Sequence, residues 1–155
     1  MPSDIAALRV KADTGDANAQ WLLGYYYYTG QGVPKDDAET ALWFRLAADQ
    51  GYADAQANLG FMYGTGRGVP QDDAQAMSWF RKAAEQGHTI AQLNLGAMCF
   101  TGRGVPQDYV ESHKWSNLAA SRASAENQTR YAEVRDAVAK VMTPAQVAEA
   151  QTLAR

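Results

Sequence analysis

The chain repeats itself with a period of 36 residues. Aligning residues 15–50 with residues 51–86 gives 21 identical positions. The motif Thr-Gly-x-Gly-Val-Pro returns at the same spacing, beginning at Thr29, Thr65 and Thr101. Glycine and tryptophan recur in the same register, at Gly15, Gly51, Gly87, Trp43, Trp79 and Trp115. A fixed period of this length predicts a stacked array, in which each unit buries its apolar face against its neighbours.

Each unit is predicted to be an antiparallel pair of helices. In the first unit Ala19, Leu23 and Tyr27 recur at helical spacing and define the apolar face of a first helix. The glycine-containing motif then forms the loop. The second helix is predicted to begin at Asp36, because Glu39 follows three residues later and this spacing is typical of a capping box.

The two ends of the chain depart from the repeat. Residues 4–14 resemble the second half of a unit and predict an N-terminal half-repeat helix. Residues 124–155 lack the loop motif and predict C-terminal capping helices, the last one starting at Thr143 and Pro144. We expect residues 1–155 to form a single repeat domain. Its full repeats are 15–50, 51–86 and 87–122.

Composition excludes several classes of partner. The formal net charge is −3 and no basic stripe is present, so no nucleic-acid partner is expected. The apolar stretches are too short for a membrane span. The N-terminal sequence lacks the basic start and apolar core of a signal peptide. We expect a cytoplasmic protein, or a periplasmic or secreted one if a leader has been removed.

The sequence offers few groups for catalysis. Cys99 takes the position of Tyr27 and Tyr63 on the buried face of a first helix, so a core residue is favoured over a nucleophile. His88 and His113 are interpreted as surface or boundary residues, and neither has metal-ligand spacing. We therefore expect no catalytic residue, no cofactor and no metal.

Several segments resemble the Sel1-like repeat, a branch of the tetratricopeptide superfamily, over Gly15–Ala120. They are Ala55-Gln-Ala-Asn-Leu-Gly-Phe-Met-Tyr63, Gly66-Arg-Gly-Val69, Asp72, Ala74, Trp79, Ala83-Ala84 and Gly87. The tail Met142–Gln151 looks like the terminal segment of bacterial members. The resemblance implies an all-α fold, a right-handed α-solenoid of stacked antiparallel helical hairpins. It also implies a non-enzymatic scaffold or adaptor. A cysteine-rich subgroup has been linked to β-lactam-like ligands, but its paired cysteines are missing here.

The resemblance further implies that the first helices line a concave groove, where polar residues would be expected. Amphipathic aromatic side chains on such a surface are typical anchors for a peptide or protein segment. We call these candidate partner-binding residues the concave stripe: Trp21, Tyr25, Tyr28, Asn58, Phe61, Leu93, Asn94 and Phe100. With few charges in the stripe, its partner is predicted to be an apolar or aromatic segment of about nine residues.

Other interpretations remain open. Trp21 and Tyr25 could pack under the opening helix, and Phe100 under the C-terminal helix. Packing is favoured for Trp21 and Phe100, whereas binding is favoured for Tyr25, Tyr28 and Phe61. A small-molecule binder or enzyme of the β-lactam-linked type is a second hypothesis. A self-associating structural protein is a third, and the expected state is a monomer or a weak homo-oligomer.

Overall fold

In a computed structural model, which describes residues 3–154, every regular element is an α-helix. The all-α class predicted from the repeat is thereby confirmed for this part of the chain. The helices are α1 Ser3–Asp13, α2 Ala17–Thr29, α3 Asp37–Asp49, α4 Ala53–Thr65, α5 Asp73–Glu85, α6 Thr89–Thr101, α7 Tyr109–Arg122, α8 Ala125–Ala139 and α9 Pro144–Leu153.

The chain forms two compact units, one ending at Trp79 and the other beginning at Phe80. Within the first unit, α1 packs on α2, α2 on α3, and α3 on α4. Within the second unit, α7 packs on α6, α8 and α9. Helix α5 contributes its first half to one unit and its last residues to the other.

The helices begin where the sequence predicts N-caps. The carboxylate of Asp36 accepts a hydrogen bond from the backbone N–H of Glu39 at 3.1 Å, and Asp108 does the same for Glu111 at 3.0 Å. Helix α9 has the complete reciprocal capping box, between Thr143 and Gln146. The predicted start of this last helix is therefore confirmed.

The recurrent apolar positions form the interior of the first unit. One cluster lies between α1, α2 and α3, and consists of Ile5, Ala12, Ala19, Leu23, Val33 and Trp43. A second lies between α3, α4 and α5, and consists of Ala47, Ala48, Ala55, Leu59 and Trp79. The tryptophan and the paired alanines of each repeat are thus core residues.

A buried glutamine connects each first helix to the end of the helix before it. Its side-chain amide donates to a backbone carbonyl, at 3.1–3.2 Å. The three pairs are Gln20 with Ala12, Gln56 with Ala48, and Gln92 with Ala84. Each of these carbonyls also accepts a hydrogen bond from the backbone N–H of the glycine three residues later, so the glutamine supplies a second bond to the same oxygen in every repeat.

The helical glycine of the first helix allows close helix contact. A Cβ atom at Gly24 would lie 2.7 Å from Cδ1 of the buried Phe44 ring. The equivalent Gly96 in the second unit faces a smaller neighbour, since a Cβ there would lie 3.0 Å from the Oγ atom of Ser116. The unfavourable helix propensity of glycine is offset by this contact.

Candidate functional site

A pocket opens on α2 and α4 of the first unit, with a volume of about 100 Å³. Its rim carries Tyr25 and Phe61, which are 41% and 44% exposed. Its floor is made of Phe44 and Met62, both buried. We call it the Tyr25 pocket, and its lining residues are Tyr25, Tyr28, Phe44, Asn58, Phe61 and Met62. Four of the predicted stripe residues therefore meet at one site.

Trp21 supports this pocket from the side. Its indole N–H donates to the Oδ1 atom of Asn58 at 2.9 Å. Its ring lies 6.0 Å from the ring of Tyr25 and 5.8 Å from that of Tyr52, measured between centroids. Trp21 thus packs with residues of the second repeat, whereas the packing interpretation placed it under the opening helix. It positions Tyr25 and Asn58, and the amide N–H groups of Asn58 are what this residue can offer a ligand.

Tyr28 is held in the wall by Arg67 and Asp37. The guanidinium of Arg67 donates to the Tyr28 hydroxyl at 2.8 Å and lies 4.4 Å from the centre of its ring. The same guanidinium forms a two-bond ion pair with Asp37, the closer bond being 3.1 Å. The hydrogen bond to Asp37 is the main cause of a raised pKa for Arg67. The guanidinium of Arg67 therefore has a structural role, since it joins Tyr28 to Asp37.

The remaining stripe residues belong to the second unit and have their own surroundings. Leu93 is half-buried, and the amide of Asn94 donates to the backbone carbonyl of Ile90 at 3.0 Å. The ring of Phe100 lies 5.3 Å from that of Tyr109. Phe100 also lines a pocket of about 270 Å³ together with residues of α7 and α8. Its side chain thus lies beside C-terminal helix α8, as the packing alternative predicts.

Asn58 and Asn94 are equivalent in sequence but differ in their bonds. The residue that precedes Asn58 by 37 positions is Trp21, which supplies an indole donor. The residue at the same spacing before Asn94 is Ala57, which has no side-chain donor. The Asn58 amide is held in place by the indole of Trp21, whereas the Asn94 amide donates to the backbone of its own helix. The predicted role of these amides in bonding a ligand backbone is therefore better supported for Asn58 than for Asn94.

Of the reactive side chains considered in the sequence, Cys99 and His113 lie in the interior of the second unit, whereas His88 is half-buried. Cys99 is buried, and burial raises the pKa of its thiol to about 11, with a smaller contribution from Glu111. A thiol of this kind stays protonated at neutral pH and is a poor nucleophile. The expected core role of Cys99 agrees with this position.

The expectation for His113 is wrong. It was interpreted as a surface or boundary residue, but its side chain is only 2% exposed. The reason is positional, since Ala41 and Met77 at the equivalent positions are also buried. Burial lowers the pKa of His113, and the nearby Arg135 lowers it further. His88 instead caps α6 by accepting a hydrogen bond from the backbone N–H of Ala91 at 3.2 Å.

Among residues 3–154, no group of three or more histidine, cysteine, aspartate or glutamate side chains is placed to hold a metal ion. In the same described range, none of the helices has the length and apolar character needed to cross a membrane.

Sequence reasoning missed three residues of the Tyr25 pocket and its wall. Phe44 and Met62 form the floor, and Arg67 holds Tyr28. A signal for Phe44 was present, because phenylalanine follows tryptophan in two of the repeats, at Phe44 and Phe80. No comparable signal pointed to Arg67, since its two partners are 30 and 39 residues away in the sequence.

Comparison with known proteins identifies what the chain is similar to. The family model described as Sel1 repeat matches residues 17–52, 53–88 and 89–124. A Sel1 repeat protein from Oxalobacter formigenes is 37% identical, with a TM-score of 0.75, over 85% of this chain and 99% of that one. No protein with a curated description matches at a significant level.

A second solved structure, c5321, is a protective antigen of uropathogenic Escherichia coli strains that displays an SLR fold. It is also 37% identical, with a TM-score of 0.75, over 92% of this chain and 34% of that one. This chain therefore spans about a third of that longer protein. Together the matches confirm the predicted class, an α-solenoid of helical hairpins.

Proposed function

This chain belongs to the Sel1 repeat family, and from that premise we propose that it is a non-enzymatic binding module that takes up an apolar protein segment at the Tyr25 pocket. Sel1 repeat proteins generally mediate protein–protein interactions and are typically not enzymes. The proposal assigns this general role to one surface of the first unit and to a partner of stated chemistry.

The observation that carries the proposal is the exposed aromatic rim. Tyr25 and Phe61 are 41% and 44% exposed, although they flank a floor of buried apolar side chains. Apolar surface left in water is unfavourable by about 25 cal/mol per Å², so covering two aromatic rings stabilises a complex. Aromatic residues beside a pocket are also the side chains that dominate binding energy in protein interfaces.

The size of the pocket indicates what enters it. A volume of about 100 Å³ is well below the roughly 300–1,000 Å³ of pockets that enclose a whole small molecule. We infer that one apolar side chain of the partner enters, while its neighbours in the segment cover the rings of Tyr25 and Phe61. The amide of Asn58 lies in the same lining and can donate to the partner's backbone.

Charge supports an apolar partner. The six lining residues include no acid, no base and no histidine. Arg67, the cation that bonds to Tyr28, is paired with Asp37. Binding at this site should therefore change little between low and physiological salt, since exposed charge pairs are the interactions that salt screens. The two tyrosine hydroxyls in this lining have no carboxylate, histidine or lysine among the other lining residues to activate them, which supports a binding role over the β-lactam-linked alternative.

The test is a binding experiment with peptides selected from a random library of about nine residues against the immobilised wild-type protein. Affinities of the selected peptides are then measured by calorimetry for wild type and for the double variant Tyr25→Ala with Phe61→Ala. The matched control is Leu42→Ala with Leu46→Ala, which removes two exposed apolar side chains from α3, outside the pocket. Circular dichroism checks that all three proteins keep the same helical content.

We expect the selected peptides to share apolar or aromatic positions. The Tyr25 and Phe61 double variant should lose at least tenfold in affinity, as is typical of removing binding hot spots. The control should stay within about twofold of wild type. Equal affinities of wild type and the pocket variant, or a loss confined to the control, would show that this surface is not the binding site.

A further inference from the structure

The third repeat lacks an aromatic ring that the first two repeats contain. Phe44 and Phe80, both buried, are followed at the next equivalent position by Ser116. The side chain keeps its neighbour, since Ser116 faces Gly96 as Phe44 faces Gly24. The Ser116 side chain is much shorter than phenylalanine, however, so it leaves unfilled the space that a phenyl ring takes in the other repeats.

A pocket lies at this place, and we call it the Ser116 pocket. Its volume is about 270 Å³. Its walls come from three helices, with Phe100 on α6, Ser112 and Ser116 on α7, and Val134 and Val138 on α8. The lining also includes Thr101, whose hydroxyl donates to the backbone carbonyl of Ala97 at 3.0 Å. Apart from this threonine and the two serines, the lining residues are apolar or aromatic. A smaller apolar cavity, of roughly 150 Å³, is known to hold benzene in a protein interior.

One polar group in the wall has no partner. The Oγ atom of Ser112 is buried and makes no hydrogen bond. At the equivalent position of the first repeat, the hydroxyl of Thr40 donates to the backbone carbonyl of Asp36 at 2.9 Å. A buried hydroxyl without a partner is unfavourable, so a ligand that bonds to it gains affinity.

We propose that the Ser116 pocket binds a small uncharged aromatic molecule that carries a hydroxyl group, a phenol in the simplest case. The ring takes the volume that the phenylalanine ring fills in the other repeats. The hydroxyl of the ligand bonds to Ser112. This site lies in the second unit and does not depend on the Tyr25 pocket, so either proposal stands if the other fails.

The test compares phenol with benzene, because the two differ by one hydroxyl. Each is titrated into the chain of residues 1–155 labelled with ¹⁵N, and the amide shifts give the affinity and the location. We expect saturable binding of both, with shifts at Phe100, Ser112, Ser116 and Val138. Phenol should bind about threefold to tenfold more tightly than benzene, the range that one hydrogen bond provides.

Three variants separate the parts of the proposal. Ser112→Ala should keep benzene binding and remove the preference for phenol. Ser116→Phe restores the residue of the other repeats and should abolish the binding of both probes. Ala137→Phe fills the same pocket from α8, where Ala137 is exposed, and keeps the test valid if the first filling variant does not fold.

The matched control is Ile90→Phe, which adds a ring at a position on α6 that is 58% exposed and outside the lining. It should leave both affinities unchanged. The proposal is overturned if neither probe binds wild type below its solubility limit, if the filling variants bind as wild type does, or if the shifts centre on the Tyr25 pocket. A phenol preference that survives Ser112→Ala would overturn the assigned hydrogen bond.

Discussion

The Tyr25 pocket and the Ser116 pocket show how one repeat position changes the interior of a Sel1 repeat. In the first unit the ring of Phe44 fills the space against Gly24, and the pocket beside it has a volume of only about 100 Å³. In the second unit Ser116 stands at the equivalent position and the pocket is about 270 Å³. The repeat therefore tolerates both a filled and an open interior at the same place.

The rims differ as well. Tyr25 and Phe61 are exposed above a filled floor, whereas Phe100 is half-buried against Tyr109 beside an open one. The first arrangement leaves aromatic surface for a partner, and the second leaves volume for a ligand. Substitutions at these positions test whether the two pockets differ because one repeat has phenylalanine and the other has serine at the equivalent position.

The largest effect is expected from opening the filled interior. Phe44→Ser removes a buried ring that packs against Gly24 and Met62. The free energy of unfolding should fall by about 3–5 kcal/mol, because the variant loses the transfer energy of the ring and leaves a cavity. Urea denaturation followed by circular dichroism measures the change. The converse variant, Ser116→Phe, should raise the free energy of unfolding.

A loss of less than about 1 kcal/mol for Phe44→Ser would contradict the account. So would a fall in stability of the same size for both variants, since the comparison requires changes of opposite sign. Equal slopes of the denaturation curves serve as the control, because they show that the compactness of the states is unchanged.

A smaller effect is expected from the close contact at Gly24. Gly24→Ala places a Cβ atom 2.7 Å from the Phe44 ring and should destabilise the protein by about 1–3 kcal/mol. Gly64→Ala is the matched control, because a Cβ there would meet the Cβ atom of Ala76 at an ordinary contact distance of 3.7 Å. That substitution should stabilise the protein by about 0.4–1 kcal/mol through helix propensity. Equal effects at the two glycines would refute the contact as the reason for glycine at position 24.

Much of the helical fold could be predicted from the sequence, because the residues that form the caps, loops and core recur every 36 positions. The N-cap at Asp36, the burial of Trp43 and the core position of Cys99 all follow from that period. The period would also have placed His113 in the interior, because it is equivalent to Ala41 and Met77. Its polar side chain was given more weight than its position in the repeat. The buried glutamines were missed although they repeat, since a polar residue carries no apolar signal.

The candidate sites were harder to predict, because they depend on contacts that the period does not encode. Tyr25, Tyr28 and Phe61 were assigned to a binding surface from the family resemblance, their aromatic character and their helical spacing. The partners that fix this surface were not identified: Trp21 bonds to Asn58 across 37 positions, and Arg67 reaches Tyr28 across 39. The Ser116 pocket arises from a departure from the repeat, and its volume follows only from the packing of α6, α7 and α8.

The last of the expected stability effects concerns pH. Burial lowers the pKa of His113 in the folded state, so the unfolded chain binds a proton at higher pH than the folded chain does. Stability should therefore fall as pH decreases through about 6.5, the ordinary pKa of histidine, by at most about 1.4 kcal/mol per pH unit.

The variant His113→Met tests this effect, because methionine is buried at the equivalent position 77. Urea denaturation between pH 7.5 and pH 5 on both proteins, an interval of roughly two and a half units around that pKa, should give a steeper decline for wild type. The side chains that act on His113 are Arg135 and Asp136, and both are kept in the variant. Parallel stability curves for the two proteins would show that His113 does not cause the decline.

The most direct test of the central claim is to locate a bound peptide on the wild-type protein. One selected peptide is titrated into ¹⁵N-labelled protein, and the amide shift changes are placed on the structure. The account predicts that the largest changes cluster around Tyr25, Asn58 and Phe61. A cluster around Leu42 and Leu46 on α3, or changes confined to the second unit, would contradict it.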